Sequence, residues 1–143
     1  MNINSDVEKV LLKVGLEDYE IENVFSRNKY LNMSTDDEVK DIVKYLYTSC
    51  KMDMPDIKKL ILKNPLVLNE SFNRINSLET IYKTLGIQDE KYRDLLNGFD
   101  KALSINPKDL ADSVNEWQNK GYDYNAIGDM IIKNPYLAIK NNA

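Results

Sequence analysis

The chain has 143 residues, 43% hydrophobic and 29% charged, with a net charge of −4 and an isoelectric point near 4.9. That is the make-up of one globular domain, and its acidity argues against strong general affinity for nucleic acid, which draws on a basic surface. It holds no histidine and one cysteine, Cys50, which removes imidazole acid–base chemistry, Ser-His and Cys-His pairs, His or thiolate zinc sites and any internal disulfide.

The start of the chain, "MNINSDVEKVLLKVG", carries early acids and no unbroken apolar core, so no signal peptide is expected. No apolar run approaches the ~20 residues that cross a membrane. A cytoplasmic protein is the expectation, and 17 asparagines with frequent Lys, Ile and Tyr suggest an AT-rich bacterial or mobile-element genome. Gly15 then stands where a left-handed residue ends a helix. Ile21, Val24 and Phe25 follow at i, i+3, i+4, one face of a second helix. Ser34 with Asp37 is expected to open a longer helix to about Ser49, with Val39, Ile42, Val43 and Leu46 inward.

Asp53 caps the next helix, Pro55 suits its first turn, and "LILKNPLVL" ends it, because a residue before proline is pushed out of the α region. Lys63 falls in its last turn, where a cation suits the helix dipole. Ser71 or Asn69 opens a stretch to Leu85, with Ile75, Leu78, Ile81 and Tyr82 apolar, ended by Gly86. Tyr92, Leu95 and Leu96 restore the i, i+3, i+4 face. Asn106 caps a helix with Pro107 first and Leu110, Val114 and Trp117 on its core face, and Gly121 ends it. Asp123 caps the last helix, and "MIIKNPYLAI" repeats the earlier stop, with Pro65 and Pro135 70 residues apart.

These segments superimpose at steps of 35 or 36 residues. Ile21, Ile57, Tyr92 and Ile127 form one column, Val24, Leu60, Leu95 and Met130 a second, and Phe25, Ile61, Leu96 and Ile131 a third. Gly15, Lys51, Gly86 and Gly121 share the column that begins each such segment, and Lys29, Pro65, Asp100 and Pro135 the column that ends it. The fold class expected is all-α: a right-handed stack of helical hairpins with a period of about 35 residues, one domain over 1–143 with units 7–41, 42–76, 77–111 and 112–143.

The stretches "TLGIQDEKYRDLL", "DIKKLILKNPLVLN" and "NKGYDYNAIGDMIIKNPYLAI" give the chain a pattern that resembles the mitochondrial transcription termination factor (mTERF) family. The resemblance implies units of two helices with a short 3-10 turn after the proline column. It also implies nucleic-acid binding through a basic concave face.

Charge divides the units. Residues 1–41 carry a net −5, 42–76 a net +3, and the remaining two units −1 each. The basic unit nominates Lys44, Lys51, Lys58, Lys59, Lys63 and, with Arg74, a contact for phosphate or for an acidic partner; the plainer reading is a solvated face. The acids of "LEDYEIE" and "STDDEVKD" suit first helical turns, the alternative being a surface for a basic partner. Nine tyrosines could stack on bases, but tyrosine ordinarily sits half-buried. Ile132, Tyr136 and Ile139 form a candidate interaction surface at the last unit, for a partner or for self-association. No catalytic residue, metal site or cofactor is expected. The reading is a non-enzymatic module that binds a protein partner, with a small nucleic-acid binder as the alternative.

Overall fold

The computed structural model describes residues 3–139. They form eight α-helices and three 3-10 turns, and no strand occurs among them. Two compact units divide the chain, one up to Glu70 and one from Ser71. Each contains two helix pairs, so the all-α helical-repeat architecture expected from the periodicity is present.

The first unit runs α1 (Ser5–Val14), α2 (Asp18–Arg27), a 3-10 turn (Leu31–Met33), α3 (Asp36–Thr48), α4 (Met54–Lys63) and a 3-10 turn (Pro65–Asn69). The second runs α5 (Phe72–Thr84), α6 (Glu90–Gly98), α7 (Pro107–Asn119), α8 (Tyr124–Lys133) and a 3-10 turn (Pro135–Ala138). Residues 100–104, after α6, form turns rather than a 3-10 helix. The apolar columns are the cores: Ile21, Ile57 and Ile127 are fully buried and Tyr92 nearly so. Each such side chain removed from water contributes about 1.5–3 kcal/mol, which is why short helices persist here that would not form alone.

Local chemistry sets the helix ends. Asp53, Ser71 and Asp123 accept N–H groups of their first turns, as does Asn106 ahead of Pro107. The start of α3 departs from expectation by one residue. Thr35 is the cap, in a reciprocal box with Glu38, because the Ser34 hydroxyl is used elsewhere. Ser34 is buried, donating to the Tyr30 carbonyl and accepting from Asn69 Nδ2 at 2.6 Å. Asn69 Oδ1 in turn accepts from buried Asn28, which also donates to the Pro65 carbonyl. This network ties the two 3-10 turns of the first unit together.

Gly15, Gly86 and Gly121 adopt positive φ as expected. Lys51, in the same column, does so too, at φ 59°. The residues closing the short helices, Asn28, Asn64, Phe99 and Asn134, share φ between −130° and −144° and ψ between 77° and 94°. Only two of the four precede proline. Proline reinforces a stop that the repeat makes anyway.

Candidate functional site

The six nominated basic residues fall on different elements, the five lysines in the first unit and Arg74 in the second. Lys58 is spoken for: its Nζ lies 3.1 Å from Glu20 Oε1, linking α4 to α2. The Glu20 carboxyl sits below its ordinary value chiefly because the Glu17 N–H donates to it at 2.9 Å. Lys58 adds to that shift, and partial desolvation opposes it. Lys59 and Lys63 are exposed one turn apart on α4, with no ion-pair partner among the described residues. The end of α4 is already capped, since Arg27 donates to the Leu62 and Lys63 carbonyls at 2.6 and 3.1 Å. Lys51 occupies the left-handed turn before α4. Arg74 belongs to the second unit, in the first turn of α5, and reaches the Ser104 carbonyl at 3.4 Å.

Lys44 stands apart from the lysines of α4, and its neighbours were not nominated from sequence. It lines a groove of about 240 Å³ between α1 and α3 that Met54 of α4 also borders. Val10, Val14 and Val43 make the floor, Tyr47 stands at the side, and Lys13 and Lys40 join Lys44 on the rim. All three lysines are exposed. Lys40 pairs with Asp36 at 3.1 Å, and that hydrogen bond moves both groups toward their charged forms. Lys13 and Lys44 have no ion-pair partner among the described residues. The signal that could have revealed Lys40 was its i, i+4 spacing from Lys44. The two lie either side of a repeat boundary at residue 41, and Lys13 and Lys40 belong to a segment of net charge −5.

The second unit repeats the groove. About 180 Å³ lies between α5 and α7 beside Tyr124 of α8. Aligned on the left-handed glycines and helix starts, Ile81 replaces Val10, Leu85 replaces Val14, Val114 replaces Val43 and Tyr124 replaces Met54. The rim changes completely: Thr84, Ala111 and Asn115 stand for Lys13, Lys40 and Lys44. Both hollows are smaller than the roughly 300–1,000 Å³ of pockets that enclose small molecules. They suit the side chains of a larger partner.

Other candidates carry less chemistry. A hollow of about 510 Å³ is bounded by Ile3, Tyr19, Glu22, Asn23 and Ser26, and all but Ile3 are exposed surface residues. Cys50 is buried, as expected of an inert thiol. Among the described residues no three His, Cys, Asp or Glu side chains could hold a metal ion. Most tyrosines divide into core and surface residues. Tyr82 and Tyr92 are core residues, 5.9 Å apart between rings, but Tyr19, Tyr30, Tyr47, Tyr122, Tyr124 and Tyr136 are each at least 43% exposed. They fall on helix ends and turns, where the repeat provides no covering layer. Trp117 is half-buried rather than core, with Tyr122 edge-on at 5.5 Å and Lys120 Nζ 4.6 Å from its ring. At the last unit Tyr136 is 74% exposed with its ring against Phe99, Ile139 is 37% exposed, and Ile132 is half-buried. Residues 140–143, which end that unit, lie outside the described residues.

No helix among the described residues is long and apolar enough to cross a membrane. No curated protein matches the chain. The sequence profile of the mTERF family matches residues 2–142, nearly the whole length. That family is one of helical-repeat proteins known for nucleic-acid binding and regulation, and it is not a family of enzymes. In profile, repeat period, helix pairs and 3-10 turns alike, the chain belongs to the mTERF family.

Proposed function

We propose that this protein is a non-enzymatic binding module that engages another protein, as an adaptor or regulator, through the groove between α1 and α3. One observation carries the reading. The same apolar groove is built twice in the same register, and only the first copy has a rim of three lysines. Structural need would apply to both copies alike, so the lysines answer to something outside the fold. The absence of histidine and the overall negative charge agree with a binder of proteins rather than an enzyme or a general nucleic-acid binder.

Family membership favours a second reading, a small nucleic-acid-binding module, for which exposed Lys59 and Lys63 would be the phosphate contacts. A titration against duplex DNA, single-stranded DNA and RNA at low and moderate salt separates the two. The first reading expects affinities no tighter than ordinary non-specific binding, about 10⁻⁴–10⁻⁶ M. Tighter binding that falls steeply with salt and is lost in Lys59→Ala/Lys63→Ala would replace it with the second.

A further inference from the structure

Resting on the protein-binding reading, we infer that the occupant of the α1–α3 groove is an acidic amphipathic helix, its apolar face on Val10, Val14 and Val43 and its carboxylates on Lys13, Lys40 and Lys44. An apolar floor under a cationic rim asks for a ligand with both characters. A phosphodiester backbone would satisfy the lysines and leave the valines facing water. A simple apolar ligand would leave two unpaired ammonium groups at the edge of its own binding surface. Among the described residues there is no sheet edge to accept an extended peptide.

Spacing favours a helix. Lys40 and Lys44 are one turn apart on α3, a rise of about 6 Å, and Lys13 faces them from α1. Carboxylates at i and i+4 of an incoming helix have that same rise and flank an apolar stripe at the intervening positions. The hollow admits one or two side chains of such a stripe and no more. Asp36, already on Lys40, is the acid the ligand has to displace or share, and Asp37 and Asp6 also lie near enough to act on Lys40. The neutral groove of the second unit lacks every cation of this arrangement and is the internal control.

The test is fluorescence anisotropy with a labelled synthetic peptide of about 15 residues, long enough to hold a helix, bearing leucines on one face and glutamates beside them. The comparisons are the same peptide with glutamine for glutamate, a thymidine oligonucleotide of equal charge, and Lys13→Thr/Lys40→Ala/Lys44→Asn. That variant gives the first groove the rim the second already has, and circular dichroism checks that it folds. The expected result is binding of the acidic peptide that weakens about tenfold with the glutamine peptide and about tenfold in the triple variant, three exposed ion pairs being lost. Equal affinity for both peptides, no measurable binding of the acidic one, or equal affinity of wild type and variant overturns the inference. The last outcome leaves a protein-binding role standing at another surface. Tighter, lysine-dependent binding of the oligonucleotide overturns both.

Discussion

The two units solve the same packing problem with different chemistry, and the differences separate what the repeat requires from what is individual to each copy. The first unit holds its turns with a buried polar network, Asn28, Asn69 and Ser34. The second places Phe99 and Ile105 where Asn28 and Ser34 stand, both buried, and makes its side-chain link instead from the Tyr82 hydroxyl to the Ala102 carbonyl at 2.7 Å. Leu11 occupies the Tyr82 position in the first unit. Either way a backbone carbonyl or hydroxyl left bare by the turn is satisfied, which matters because an unpaired buried polar group costs about 1–3 kcal/mol.

Helix spacing differs as well. A Cβ on Gly128 of α8 would lie 2.1 Å from the Leu85 carbonyl oxygen, so α8 packs directly on the end of α5. The matching position in α4 is Lys58, whose side chain instead reaches Glu20. Gly128→Ala should destabilise the protein by about 3 kcal/mol or more, since the obstacle is backbone, read as a lower urea midpoint. Lys58→Ala should move it far less, and equal losses would mean the two approaches are alike.

A smaller effect is expected at Tyr82. Burial pushes its phenol well above the ordinary tyrosine value. The unfolded chain therefore releases this proton first, and the contribution to stability is full below about pH 10 and lost as pH rises beyond it. Tyr82→Phe should cost about 1–2 kcal/mol at neutral pH by leaving the Ala102 carbonyl unpaired. It should also flatten the fall of stability above pH 10, measured by denaturant titration at several pH values. An unchanged alkaline slope would remove Tyr82 as its source.

The smallest effect sharpens the comparison of the turns between the long and short helices. Lys51 holds a left-handed φ where the second unit has Gly121. Lys51→Gly should stabilise by about 0.5–1 kcal/mol, the relief of the left-handed conformation exceeding the added freedom of the unfolded chain. A lower thermal midpoint would show instead that the Lys51 side chain makes a contact worth more than the strain.

Much of this was legible in the sequence because the interactions involved are local. The apolar columns, the caps at Asp53, Asn106 and Asp123, the left-handed glycines and the asparagine stops each depend on residues within one or two turns, so 35-residue periodicity exposed them. The cap falls on Thr35, one residue past Ser34, because Ser34 is claimed by Asn69, far along the chain. The same holds for the basic residues. Sequence could count lysines but not tell that Lys58 is neutralised by Glu20 on α2 while Lys59 stays in water.

Short-range hydrogen bonding and the 3.6-residue period make the all-α repeat of helix pairs, and the apolar columns of its short helices, readable from sequence alone. Only tertiary packing decided which charges meet. Lys13 joins Lys40 and Lys44 because α1 lies against α3, with all of α2 intervening in the chain, and no local pattern encodes a neighbour brought in by the burial of another helix's apolar face.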